Sequence, residues 1–300
     1  MPGSAMRFSK RCRVMPGERV DLDAHPTGPR GHRGDEKRLI PRLRKSTDRL
    51  RALQYLLFAE GRRSLLICLQ ARDAAGKDGS ISHVLSAMNP QGTRVHSFKA
   101  PSSEELAHDF LWRIARQTPR KGEVAIFNRS HYEDVLAVRV HRLVPKGVWA
   151  ARYDLINDFE RGLLANGTHI VKFFLHISRD EQLRRFKSRI DDRTRHWKIS
   201  ASDYSERALW EQYTGAYADA LSKTSTESAP WYVIPADNKM YRNLAITRIL
   251  VERLESLGMR FPAPTIGLVD VRRKFRAAKR EGRTAKRHRR AASGRSAPRP

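Results

Sequence analysis

The chain has 300 residues, 40% of them hydrophobic, enough to bury one large domain or two small ones. It holds no apolar run of membrane-spanning length, its basic N-terminus leads into no apolar leader core, and Cys12 and Cys68 form no disulfide or metal pattern, so a soluble protein of the reducing cytoplasm is expected. The net charge of +27 points to a polyanionic partner, namely nucleic acid, inorganic polyphosphate or an anionic membrane surface.

Residues 1–36 are rich in Gly, Pro and Arg without an apolar period, and read as a mobile basic arm. From Lys37 to Glu60, Leu39, Leu43, Leu50, Leu53 and Leu57 recur at helical spacing, and Gly61 ends the helix. Five strands are expected at 64–69, 93–98, 123–127, 169–177 and 231–235. Helical patterns separate them. The first runs from about Lys77 to Met88, with Ile81, Val84, Leu85 and Met88 on one face. The second opens on a capping box between Ser102 and Glu105, with Leu106, Phe110 and Ile114 along one side. Others cover about 149–166, 179–189, 206–222 and 239–257. Strands alternating with helices imply an α/β fold with a parallel sheet covered on both faces. Residues 266–300 read as a basic disordered tail: 271–300 hold 13 Lys/Arg against Glu281 alone.

The segment Leu65–Ser80, LLICLQARDAAGKDGS, reads as a buried strand, a small-residue loop and a first helical turn. Such a loop turns backbone N–H groups toward a phosphate, and Lys77 adds a point charge. It resembles a P-loop with Ala71 at the first Gly position and Asp78 at the Ser/Thr position. Asp73 would repel phosphate unless a cation intervened, which suggests Mg²⁺, held directly or through water. Asp78 also suits the first turn of a helix. After the third strand comes NRSHYED at 128–134, near that strand's carboxyl end, where open parallel sheets bind ligands. The amide oxygen of Asn128 can orient a metal-bound water, Arg129 can clamp phosphate, and Glu133 and Asp134 offer carboxylates. Of the histidines, His131 alone falls near this site. Residues 184–205, dense in Arg and Lys around Trp197, lie where a phosphoryl-transfer enzyme carries a lid, with Arg189, Arg193 and Lys198 closing on the transferred group.

In order along the chain, DAAGKDG (73–79), NPQG (89–92), SFKAPSSEELAHDFLWR (97–113), FNRSHYEDVL (127–136), LRRFKSRIDDRTRHWKIS (183–200) and ALWEQYTGAYADAL (208–221) resemble the type-2 polyphosphate kinase family. The resemblance runs from about Lys37 to Pro262 and implies a catalytic domain over 37–265. It implies a thymidylate-kinase-like P-loop kinase fold, three-layered, with a five-stranded parallel sheet and a helical lid. The implied activity is Mg²⁺-dependent phosphoryl transfer between inorganic polyphosphate and AMP, ADP and ATP. Asp73, Lys77, Arg129, Glu133 and Arg189 would be catalytic. Ala74, Ala75, Gly76, Lys77, Asp78, Gly79, Arg193 and Lys198 would bind polyphosphate. Lys99, Arg129, His131, Tyr132 and Glu133 would bind nucleotide, and Asp73 and Asn128 the metal. NRSHYED is similar to the subgroup using both AMP and ADP. A homo-oligomer, dimer or tetramer, is implied, with non-specific polyanion binding by the tail and no membrane.

Two segments depart from the family pattern, at three positions. Ala71 replaces a Gly, and its methyl would hinder a Gly-only conformation. Arg193 and Arg195 stand where Pro and Lys are frequent. An ATP-dependent nucleotide kinase shares the loop and fold. A degenerate P-loop protein binding nucleic acid through its tail is the alternative outside enzymology, though that tail has little aromatic interleaving.

Overall fold

The computed structural model describes residues 8–29, 31, 35–85 and 87–293. The chain divides into two units, Met1–Arg260 and Phe261–Pro300.

In the first unit the elements run α1 (Phe8–Cys12), α2 (Glu36–Glu60), β1 (Ser64–Ala71), α3 (Lys77–Ser80), β2 (Thr93–Ser97), α4 (Ser103–Leu106), α5 (Trp112–Ala115), β3 (Val124–Asn128), α6 (Ala137–Val140), α7 (Lys146–Ala165), β4 (Thr168–His176), α8 (Arg179–Asp191), α9 (Ser202–Ala208), α10 (Trp210–Thr224), β5 (Trp231–Pro235) and α11 (Lys239–Glu255). All five strands form one parallel sheet in the order β2-β3-β1-β4-β5. Every residue of β1 is buried because the strand is central and both sheet faces are covered. Leu65, Ile67 and Leu69 pack with Leu50, Leu53 and Leu57 of α2 and Leu250 of α11. Leu66 and Cys68 face the other way, toward Phe127, Ile170 and the α7 residues Phe159 and Leu163. Helix layer, sheet and helix layer make a three-layer α/β architecture, and the loops after the five strands gather at the carboxyl edge of the sheet.

Three expectations about elements need correction. The helix from Lys77 is α-helical only to Ser80 and continues as a π-helical turn over Ile81–Leu85, although Val84 and Met88 are buried as its apolar period requires. The capping box forms, with Ser102 Oγ accepting from Glu105 N at 3.2 Å and Glu105 Oε2 accepting from Ser102 N at 2.8 Å. The helix it opens stops at Leu106, which is exposed, and a separate short helix carries the buried Ile114.

The supposed mobile arm is the third correction. Phe8 and Cys12 of α1 are buried in the α2/α11 layer, with the Phe8 ring edge-on to Tyr241 at 5.5 Å. Val14, Val20 and Leu22 are buried on the opposite face. Val14 N donates to Trp231 O at 2.9 Å, and Arg13 bridges Tyr232 antiparallel, so this segment covers the edge of β5. Its apolar residues are too few and too scattered to register as a period, and only the sheet edge gives them a partner. Residues 1–7, 30 and 32–34 of the expected arm lie outside the described residues.

The second unit contains α12 (Leu268–Ser293). The expected disordered tail is therefore helical over most of its length, and residues 294–300 lie outside the described residues.

Candidate active site

The loop after β1 is built from its carbonyls outward. Gln182 Nε2 donates to Asp73 O at 3.0 Å, and Arg185 Nη1 donates to Ala74 O and Ala75 O, both at 2.9 Å. Arg242 Nη1 donates to Ala75 O at 3.2 Å, and Lys77 Nζ donates to Ala71 O at 3.1 Å. With four of its carbonyls so engaged, the loop presents the N–H groups of Gly76–Gly79, at a helix start where no preceding carbonyl within the helix accepts them. Ala71 is ordinary extended strand, paired with Leu175, so the methyl at the first Gly position causes no conflict. The left-handed residues lie further on, at Ala74 (φ 59°) and Gly76 (φ 102°). Gly76 has a second reason to lack a side chain: a Cβ there would lie 1.9 Å from Arg242 Nη1. Burial pulls the Lys77 ammonium below its ordinary value, with Asp73 opposing.

The turn after β3 forms the facing wall. Asn128 Nδ2 donates to Asp78 Oδ1 at 3.0 Å, while Asn128 Oδ1 is buried without a partner. Arg129 is left-handed (φ 64°), and its guanidinium lies 3.7 Å from Asp73 and 4.0 Å from Glu133. Burial works against the Arg129 charge, but Glu133 and Asp73 more than offset it and raise its pKa. Burial pushes the Glu133 carboxyl up against the pull of Arg129 and Lys77. With its amide oriented to satisfy both neighbours, Gln70 donates to Glu133 Oε1 at 3.0 Å and accepts from Ser130.

The loop, the turn, and α8 with the segment after it border a groove of about 780 Å³ lined by nine Lys/Arg side chains, among them Lys77, Lys99, Arg129, Arg189 and Lys198, against Glu36, Asp73 and Asp78. A smaller cavity of about 270 Å³ adjoins it at Asp73 and Arg129, and adds Glu133, Trp210, Tyr213 and Tyr217 to its walls. The groove thus combines a phosphate cradle with dense positive charge, and the adjoining cavity offers aromatic faces.

The structure brings Asp73, Ala74, Gly76, Lys77, Asp78, Gly79, Lys99, Asn128, Arg129, Arg189 and Lys198 to the groove, and Glu133 to the adjoining cavity. Ala75 is fully buried, so its backbone alone takes part. In the segment expected to form a lid, Arg195 lines the groove and Arg193 is not among its lining residues. Arg189 Nη1 donates to Lys198 O at 3.3 Å and to Asp203 Oδ2 at 3.4 Å, which ties α8 to the segment beyond it. Trp197 is 78% exposed, with the Lys198 ammonium 4.9 Å from its ring centre.

His131 and Tyr132 do not reach the site; both are fully buried. The 3-10 turn His131–Asp134 rolls them inward onto Glu160 of α7, which accepts from His131 Nε2 at 3.2 Å and from Tyr132 Oη at 2.8 Å. Lys172 of β4 donates to the same carboxylate at 2.6 Å. Burial keeps His131 neutral, below its ordinary value, and Lys172 and His131 hold Glu160 ionised despite its burial. In a four-residue turn only part of the sequence can face the ligand, and the sequence gives no period from which to read which part.

Arg185 and Arg242 were not singled out by sequence. Glu181 four residues before Arg185 is a usable signal, and the pair meets at 2.8 Å. Arg242 sits in an apolar helix face with no local signal at all.

A family profile described as polyphosphate kinase 2 matches residues 34–261. The chain is 50% identical over 256 residues to the AMP/ADP-polyphosphate phosphotransferase of Meiothermus ruber, covering 85% of this chain and 96% of that one. It is 48% identical over 269 residues to the ADP-polyphosphate phosphotransferase of Rhodopseudomonas palustris, covering 86% and 93%. The crystal structure of polyphosphate kinase 2 from Arthrobacter aurescens superposes with a TM-score of 0.85 at 43% identity, over 90% of this chain and 97% of that one.

Proposed function

The chain belongs to the polyphosphate kinase 2 family, and on that premise we propose that it transfers the terminal phosphoryl group of inorganic polyphosphate to AMP and ADP, and runs the reverse reaction from ATP. The observation that carries this reading is the groove with nine Lys/Arg side chains laid over a P-loop-like cradle. It suits a long polyanion better than a single nucleotide, and electrostatic positioning dominates phosphoryl transfer.

Polyphosphate lies along the groove with its terminal phosphates on the N–H groups of Gly76–Gly79. A terminal oxygen of the nucleotide phosphate attacks the end phosphorus in line. The bridging P–O bond breaks, and the shortened polyphosphate leaves with the electron pair. Lys77 and Arg129 stabilise charge on the transferred group, and Arg189 and Lys198 neutralise its neighbours. Glu133 orients Arg129 from behind. Lys99 meets the nucleotide phosphates, and the cavity of Trp210, Tyr213 and Tyr217 is sized and surfaced for a nucleobase.

The donors present fit Mg²⁺. Mg²⁺ usually keeps several of its waters and binds through one or two protein oxygens together with substrate phosphates. Among the described residues, Asp73 has only the distant Arg129 as ion-pair partner, and Asn128 Oδ1 is a buried acceptor without a donor. These two would hold the ion, directly or through water. When bound, it would neutralise phosphate charge and polarise the transferred group.

A cytoplasmic setting is supported by two buried free thiols, Cys12 and Cys68. No described helix is long and apolar enough to cross a membrane. A dimer or tetramer is supported by Ile40, Tyr55 and Phe58, exposed on α2. Non-specific attraction of polyanions by the basic C-terminal segment belongs to the same reading.

The test is ATP formation from ADP, and ADP formation from AMP, with long-chain polyphosphate and Mg²⁺. Both are expected to be lost on chelation and to fall about 10³-fold in folded Lys77→Ala. Activity with ATP but none with polyphosphate as donor would move the assignment to an ordinary nucleotide kinase.

A further inference from the structure

Helix α12 lies beyond the residues that match the family profile, and the reaction above does not use it. It carries 11 Lys/Arg against Asp270 and Glu281. At ~100° per residue, Arg272, Arg276, Lys279, Arg280, Arg283 and Lys286 fall on one side, and Lys274, Ala278, Glu281 and Ala285 on the other. The six basic side chains are exposed. Among the described residues, the one ion pair made from this helix is Arg273 with Asp270 at 3.1 Å. The row covers about 21 Å along the axis. Arg272, Arg276 and Arg280 repel one another at i,i+4 spacing, a cost that a ligand with a regular row of negative charge would remove.

We propose that this face of α12 is a second binding site for inorganic polyphosphate, holding part of a long chain away from its reacting end. The proposal rests on the substrate assigned above and adds to it a dependence on chain length. Covalent connection keeps a captured chain at high effective concentration for the catalytic unit. Single-stranded nucleic acid is the poorer match, since Phe275 is the helix's one aromatic residue and such sites stack bases on several. A membrane surface is also poorer. Its large apolar residues, Leu268, Val269, Val271 and Phe275, stop after two turns, and the side opposite the basic row holds Glu281 and Lys274.

The test changes Arg272, Arg276, Arg280 and Arg283 together to Gln in the full chain, a substitution that favours helix. Lys274→Gln, on the opposite side, is the control. In the fourfold variant KM for long-chain polyphosphate is expected to rise about tenfold and to become less sensitive to salt. KM for short chains should rise far less, and the control should match the parent. An unchanged long-chain KM, or an equal rise for both lengths, overturns the proposal. Loss of binding to single-stranded RNA or phosphatidylserine vesicles with long-chain KM intact overturns it too, and assigns the face to that partner. Retention of long-chain polyphosphate is measured in parallel on Lys77→Ala protein, with and without the fourfold change. Retention that depends on the four arginines supports the helix site even if no nucleotide is phosphorylated, which separates failure of this proposal from failure of the assigned reaction.

Discussion

The two walls of the active site hold left-handed backbone by opposite means. The loop after β1, with Ala74 and Gly76 at positive φ, is held through its carbonyls by the cations Arg185 and Arg242. The turn after β3, with Arg129 at positive φ, is held through inward-facing donors that converge on the anion Glu160. Next to bound phosphate, a cation that pins the backbone also adds favourable potential. A carboxylate in that place would repel the substrate. On the second wall it sits in the interior instead, fully buried and neutralised by Lys172. The strain at Arg129 and Ala74, costing about 1–3 kcal/mol each, is thus met from two directions, and the anion that anchors the second wall lies in the interior rather than at the groove.

If that contrast is right, the buried anchor should be the costlier to break. Lys172→Met leaves Glu160 ionised without its partner and should lower stability by about 3–5 kcal/mol, measured by denaturant unfolding. Adding Glu160→Gln should restore much of that loss. A single variant as stable as the parent would mean that the pair does not anchor the turn.

The same turn carries a pH signature. Burial lifts the Asp134 carboxyl from 3.8 to about 6 although Arg152 lies 3.2 Å away. The native state therefore holds this proton more tightly than the unfolded chain. Its contribution is complete below about pH 4 and is lost as pH rises through 6, about 3 kcal/mol in all. The stability of Asp134→Asn relative to the parent should rise by about that amount between pH 4 and 7. A pH-independent difference would remove Asp134 as the source.

On the cationic wall the expected loss is in turnover. Gly76→Ala forces a Cβ into Arg242 and a side chain into φ 102°, and kcat should fall about 100-fold through displacement of the cradle. If kcat stays within a few-fold, the arginine does not set the loop. The smallest effect belongs to α8 and the segment after it. Arg189→Ala removes the tie from α8 to Lys198 and Asp203, and should raise KM for polyphosphate about tenfold with a lesser change in kcat.

What could be read in advance followed from local physics. The run SLLICL could be only a buried strand, and the small residues before Lys77 only a tight strand-to-helix loop. Groove residues were legible where they adjoin such a signal, as with Lys77, Asp73, Arg129 and the basic run from 184. His131 and Tyr132 were misplaced because adjacent residues in a 3-10 turn point different ways and the deciding partners, Glu160 and Lys172, are 28–41 positions away. Arg242 was illegible for the same reason, being 167 positions from the carbonyl it holds.

The sequence by itself determined the five strands, the longer helices between them, the tight loop after β1 and the excess of positive charge, because hydrophobic period, turn chemistry and charge are properties of neighbouring residues. Tertiary structure alone decided which faces those elements show one another. It turned half of the 131–134 turn inward, seated Phe8–Leu22 along the edge of β5, and placed two distant arginines beneath the loop. Each of those outcomes depends on a partner remote in the chain. A buried polar group is settled by the partner the fold supplies, which its neighbours in sequence do not specify.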